Sequence, residues 1–249
     1  MSYILQAHCL SSLQSQLVSY YRSGAAIRSR SVSDVVLSST VDVPAPPPRL
    51  TADWEREAAL CLQLEPGDVE ALPLARARMR WPDFRTCVQG VSDWTQKLGL
   101  SEVLAACDAD LMVCRGARYH HDAAQYGAAA FCNLFLSEDK GLDLYFPMSG
   151  QRIPLTRGTA VIFDTGQPHA VLQRGSHNFQ AADFPPGSNC SLVFLTWELP
   201  IENVDLASAL QINFDSDPSA ASLLDQEQLR LNGAKVSLCP ESGQWRLAD

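Results

Sequence analysis

This sequence is short of positive charge, histidine, paired cysteines and long apolar runs, and each shortage excludes something. Arg and Lys number 19 against 28 Asp and Glu, a net charge of −9. A phosphate backbone needs a basic surface, so no nucleic-acid partner is expected. The single basic cluster, Arg76, Arg78 and Arg80 in RARMR, reads as a solvated helix face. No apolar stretch approaches membrane-spanning length. The N-terminal MSYILQAHCLSSLQSQLVSYYRSG lacks the basic start and unbroken apolar run of a signal peptide. Eight cysteines are present, but no Cys-x-x-Cys pair occurs, which argues against a zinc knuckle or a thioredoxin-type site. Several sit in apolar runs (LMVC, AFCNLFL) and are expected to pack as small hydrophobes. The five tryptophans read as core anchors. The expectation is a reduced, soluble, cytoplasmic protein with no membrane partner.

What is present is enough apolar content, 46% over 249 residues, for one sizeable core. The chain reads as a single domain in three stretches. Residues 1–109 are expected to be mostly helical and to pack on the core. Leu5, Cys9, Leu10, Leu13, Leu17, Val18 and Tyr21 recur at three- and four-residue steps, predicting an amphipathic helix ended by Gly24. SDVVLSSTVDV predicts a strand, PAPPPR a stiff connector, and 51–63 and roughly 68–106 further helix, broken near Pro73 and Trp81-Pro82.

From Asp110 to Leu199 the chain becomes a series of short β-rich runs: LMVCR, AAFCNLFL, GLDLYF, GTAVIFD, HAVLQ and SLVFLTWEL. Turn residues punctuate the gaps and no helix-length segment intervenes. This predicts an antiparallel sandwich or barrel and excludes a doubly wound α/β fold. Residues 200–249 read as a C-terminal extension, part helical, closing in a hairpin around Pro240–Gly243.

Only five histidines occur: His8, His120, His121, His169 and His177. In RYHHD, a strand would point His120 and Asp122 to one face and His121 away. His169, after the apolar run Val161, Ile162, Phe163 and a turn through Gly166, Gln167 and Pro168, is the third candidate ligand. Two imidazoles and one carboxylate leave coordination positions open, the arrangement of non-haem Fe(II) oxygenases. The bland readings are a polar turn for His120 and Asp122 and a surface strand start for His169. His121 reads as a residue behind the ligands or at the mouth of the site, Asp164 and Arg157 as turn caps, and the loop 175–190, which carries His177, as either a lid or a mobile segment.

With these motifs in this order, residues 110–199 resemble the double-stranded β-helix (jelly-roll) core of the Fe(II)/2-oxoglutarate-dependent dioxygenases, in the layout of the prolyl-hydroxylase-like branch. The matching pieces are LMVCRGARYHHD, AAFCNLFLS, KGLDLYFPMSGQRIPLTRGTAVIFDTGQPHAV and SLVFLTWEL, about 90 residues in all. The resemblance implies a mainly β fold with N-terminal helices and a hydroxylase that binds Fe(II) through His120, Asp122 and His169. It further implies 2-oxoglutarate as cosubstrate, O2 as oxidant, and a small-molecule or peptidyl substrate. One departure stands out. The family carries an Arg or Lys on the closing strand to pair with the distal carboxylate of 2-oxoglutarate, and here that position falls near Ser191, with no Arg or Lys from 176 to 199. Arg174 and then Arg115 are the candidate substitutes, and Asn133 can donate a hydrogen bond to a cosubstrate carboxylate. The missing cation keeps two other readings open: a cupin-like metalloenzyme that does not use 2-oxoglutarate, and a non-catalytic jelly-roll binding module.

Overall fold

A computed structural model describes residues 16–185 and 187–247. The chain opens with three strands, β1 (Leu17–Ser23), β2 (Ala26–Ser31) and β3 (Val36–Thr40). Helix α1 (Pro48–Arg56) runs on through a wide turn over Glu57–Cys61, and β4 (Val69–Leu72) precedes α2 (Leu74–Arg80), α3 (Phe84–Lys97) and α4 (Ser101–Ala105). The β-rich stretch comprises β5 (Ala109–Cys114), β6 (Ala117–His120), the short α5 (Ala123–Tyr126), β7 (Ala129–Phe135) and β8 (Leu142–Phe146). It continues with β9 (Gln151–Pro154), β10 (Thr159–Asp164), β11 (His169–Gln173) and β12 (Leu192–Pro200). Helices α6 (Val204–Ala209) and α7 (Pro218–Ala221) and strands β13 (Gln228–Leu231), β14 (Ala234–Leu238) and β15 (Trp245–Leu247) follow.

The fold is mainly β, with several antiparallel sheets and some helices. A six-stranded sheet runs β3-β10-β7-β12-β5-β4 and a four-stranded sheet β6-β11-β8-β9. A third sheet, β15-β14-β13-β1-β2, is built from the two ends of the described chain. The first two face each other across one apolar cluster. Phe135, Phe163, Leu192 and Phe194 enter it from the larger sheet and Leu142, Leu144, Phe146 and Leu172 from the smaller. Period-two alternation sorts the residues of β12: Val193, Leu195, Trp197 and Leu199 turn outward to a second cluster under α1–α4, so Phe194, Thr196 and Glu198 turn inward. Trp54, Trp81 and Trp94 anchor that second cluster, and fully burying such a side chain contributes about 1.5–3 kcal/mol. RARMR lies on α2, where Arg76 and Arg80 pair with Glu57 and Asp53.

Three expectations need correction. The helix predicted over Leu5–Tyr21 falls partly outside the described residues, and where it is described, Leu17–Ser23 is strand β1. The five residues Leu17 to Tyr21 are all buried, because β1 lies between β13 and β2 with apolar clusters on both faces. A strand buried on both faces loses the alternation that distinguishes it from a helix. The stretch expected to be helical from 68 begins instead with β4, which extends the large sheet by pairing with β5. The loop 175–190 is neither free nor a cover. Phe179 and Phe184 stack at 5.5 Å inside the core cluster, and Arg115 holds the Phe184 carbonyl at 2.7 Å. None of its described residues lines the cavity introduced below. The expected strand in SDVVLSSTVDV is β3, and the closing hairpin is β14–β15. The described cysteines are free. Among the described residues no helix is long and apolar enough to cross a membrane.

Candidate metal centre

His120 is the last residue of β6 and His169 the first of β11, and the two strands pair with these residues opposite one another. Cross-strand partners lie about 5 Å apart on one face, and the imidazole centroids are 4.3 Å apart. Asp122 reaches the same point by a different route from the expected strand alternation. The chain leaves β6 after His120, and Asp122 occupies the residue before α5, its backbone N–H donating to the Thr165 carbonyl at 2.8 Å. An aspartate there ordinarily caps the helix. This one makes no capping bond and turns to the histidines. Its Oδ1 lies 3.8 Å from His120 Nε2 and its Oδ2 3.7 Å from His169 Nε2, and one donor atom from each residue falls within 4.8 Å of the others.

The back of each ring is fixed. His120 Nδ1 bonds the Arg118 carbonyl at 2.7 Å and His169 Nδ1 bonds the Gln167 carbonyl at 2.9 Å. A carbonyl only accepts, so each Nδ1 carries the proton and each Nε2 presents a lone pair forward, as metal-ligating histidines do. Asp122 Oδ2 is buried with no hydrogen-bond partner. Burial holds the His169 imidazolium well below its ordinary pKa, the neighbouring His120 adding to it. Burial likewise raises the Asp122 carboxyl, with His120 acting the other way. A bound dication would reverse the effect on Asp122, because it favours the anion that burial disfavours. The donor set therefore fits a divalent first-row metal. Among the described residues no fourth His, Cys, Asp or Glu joins this group, which leaves coordination positions open.

The turn that delivers His169 is held from below. Asp164 ends β10, accepts the Gly166 N–H at 2.8 Å and is gripped by the buried guanidinium of Arg30. Thr165 Oγ1 lies 2.7 Å from the Tyr126 carbonyl and 2.8 Å from the Ala129 carbonyl, its one proton shared between them, which ties this turn to the segment that follows Asp122.

The triad opens into a cavity of about 290 Å³ between the two facing sheets. Its inner wall is apolar (Met112, Phe135, Leu144, Phe194), and its polar members are Asp110, Gln125, Tyr126, Asn133, Thr196 and Glu198. Of the sequence-predicted cosubstrate residues, only Asn133 is brought here; it is 8% exposed and its Oδ1 has no partner. Arg174 is turned away, paired with Asp139 and Asp143 at 2.9 Å each. Arg115 is engaged with the carbonyls of Phe184 and Pro185. Ser191, the position where the sequence resemblance implied a cation, lies outside the cavity, and no Arg or Lys lines it among the described residues. His121 stands half-buried near Trp245, its pKa lowered by burial and by His120. His177 packs edge-on against Tyr145.

Sequence reasoning missed Asp110, Thr196 and Glu198. The alternation of SLVFLTWEL held the signal, since Thr196 and Glu198 share the parity of Phe194. Arg30, more than 130 residues from Asp164 in sequence, left no local signal.

No family model matches this chain, and no curated protein matches it in sequence. Among solved structures, it is similar to a prolyl-4-hydroxylase of Pseudomonas putida, with 16% identity and a TM-score of 0.39 over 66% of this chain and 92% of that one. A truncated viral collagen prolyl hydroxylase from Paramecium Bursaria Chlorella virus-1 gives 12% identity and 0.35 over 66% and 88%. The same viral enzyme in its 2OG complex gives 10% and 0.36 over 66% and 94%.

Proposed function

We propose that this chain is a mononuclear non-haem iron(II) oxygenase whose catalytic unit is a double-stranded β-helix over residues 110–199, with 1–109 and 200–249 packed around it in one domain. One observation carries the reading. Two imidazole Nε2 atoms and one partnerless carboxylate, each ring fixed from behind, converge on the wall of a cavity and not in packed core. Iron(II), when bound there, supplies the capacity to take up and activate O2. The rest is done by the protein. His120 and His169 offer neutral donors, Asp122 offers the only anionic one, and Phe131, Phe135, Phe163 and Phe194 line the cavity and exclude water from the reacting positions. A space of about 290 Å³ suits a small metabolite or a single peptide side chain, and hydroxylation is the outcome such a centre gives most directly.

2-Oxoglutarate is the cosubstrate that the sequence resemblance implies. The open metal positions suit its chelating end, but no Arg or Lys among the described residues lines the cavity to pair with its distal carboxylate. A buried carboxylate needs a charge-assisted partner, and the cavity offers the Asn133 amide and the Thr196 hydroxyl in place of a cation. That observation favours a second reading, a cupin-like oxygenase in which the substrate itself meets the metal.

The protein loaded anaerobically with Fe(II) and 2-oxoglutarate tests the proposal. Under the first reading a weak visible charge-transfer absorption develops, and succinate forms on adding air. No absorption, with iron still bound stoichiometrically, selects the second reading. Failure to bind iron at all, or binding unchanged in both Asp122→Ala and His169→Ala, refutes both.

A further inference from the structure

The polar residues of the cavity are arranged in register. Asp110 on β5 lies opposite Thr196 on β12, and Thr196 lies opposite Asn133 on β7. The three form one row across adjacent strands, passing from exposed Asp110 through half-buried Thr196 to buried Asn133. Glu198 is two residues beyond Thr196 on the same face and adds a second exposed carboxylate to the cavity lining. Neither Asp110 nor Glu198 has an ion-pair partner among the described residues, and no Arg or Lys lines the cavity with them.

Two uncompensated like charges on neighbouring strands cost stability, and Asp110 acts on Glu198 in that sense. Burial and then Asp110 raise the Glu198 carboxyl, and the Tyr126 phenol is raised by burial, then by Glu198, Asp122 and Asp110. A second, independent observation lies deeper in the row. Asn133 is more than nine-tenths buried and its Oδ1 accepts nothing from the protein. An orphaned acceptor at the wall of an open cavity is satisfied by a donor that comes from outside.

We propose that this cavity selects a substrate bearing a protonated amine or guanidinium group, whose charge Asp110 and Glu198 hold and whose N–H groups the Asn133–Thr196 row accepts, with its alkyl portion against Met112, Phe135 and Phe194. Such a group donates only and carries positive charge, the complement of what the wall presents. The inference rests on the reading that the triad marks an active site, and it names that site's substrate class.

The test uses three probes of one shape and different charge, namely hexylammonium, 1-hexanol and hexanoate. Each is titrated calorimetrically into the full chain near neutral pH, with and without Fe(II) under anaerobic conditions. Hexylammonium is expected to bind about tenfold tighter than hexanol, and hexanoate weakest. In the double variant Asp110→Asn/Glu198→Gln that preference collapses to within about twofold, whereas Asp93→Asn/Glu102→Gln, which removes the same charge elsewhere, keeps it. Equal binding of the three probes, tighter hexanoate, no measurable binding of hexylammonium, or a preference that survives the first double variant overturns the proposal. Iron stoichiometry is read separately. Its loss in the wild-type chain refutes the oxygenase reading and leaves the charge preference to be decided by the metal-free titrations.

Discussion

Arg30 and Asp164 form a two-pronged ion pair in which both side chains are fully buried, with N–O distances of 2.6 and 2.8 Å. Asp164 also accepts the backbone N–H groups of Ser33 and Gly166, and Arg30 donates to the Gly127 carbonyl. Both carboxylate oxygens thus accept two bonds each and Arg30 also donates to the Ser31 carbonyl, the kind of hydrogen bonding under which a buried pair is tolerated. Its place in the fold gives it meaning. It clamps β2 to β10, the strand before the turn that leads to His169, so the position of a candidate metal ligand is set by a guanidinium far away in the chain. Arg30→Ala strands the carboxylate and is expected to cost about 3–5 kcal/mol in denaturant unfolding. If the variant loses less than about 1 kcal/mol, the pair is not the anchor described here.

Asp122→Ala is expected to abolish iron binding while leaving the fold at least as stable. The residue makes no capping bond, its Oδ2 is buried without a partner, and its carboxyl is raised by burial. Removing an unsatisfied buried acceptor relieves a desolvation cost of about 1–3 kcal/mol. Unchanged iron stoichiometry in this variant would count against the triad, and marked destabilisation would give Asp122 a structural role instead.

Metal binding to the native site alone raises thermal stability. At about 100 times its dissociation constant the ion adds about 2.7 kcal/mol, which for a chain of this size shifts Tm by several degrees. Differential scanning calorimetry under anaerobic Fe(II) reads the shift. It should vanish in His169→Ala, because that residue supplies a donor from the second strand.

Gly158→Ala tests how the sheet edge is closed. The residue has φ +87°, and a Cβ there would run into the Val41 carbonyl oxygen, while the Val41 N–H donates to the Gly158 carbonyl at 2.8 Å. Left-handed backbone and a backbone clash together should cost more than about 1 kcal/mol. Stability equal to wild type in urea would show that the turn relaxes freely.

Phe184→Ala separates the packed loop from the site. The ring is 1% exposed and stacked on Phe179, so its loss should cost about 3–5 kcal/mol. Iron affinity should stay within about twofold, since the loop does not line the cavity. Iron affinity that falls tenfold or more would restore the lid.

Much of the site was legible because its signals are short. His-x-Asp, the run ending at Asp164 and the Pro-His after the turn each occupy a few residues, and strand periodicity is written into neighbouring positions such as Thr196 and Glu198. Less of the N-terminal stretch was legible. Leu17 to Tyr21 spaces its apolar residues ambiguously because both faces are covered, and nothing local reports that β13, from the far end of the chain, lies beside it.

What the sequence determined by itself is therefore the alternating strands, the turns and the three candidate donor side chains that the fold brings together. Tertiary structure alone decided that no arginine among the described residues lines the cavity, Arg174 and Arg115 both having found partners elsewhere. It also decided that Asp110, Thr196 and Asn133 stand in one row. The reason is physical: alternation gives a residue's parity within its own strand, but facing depends on the register between strands far apart in sequence, which only the assembled ladder sets.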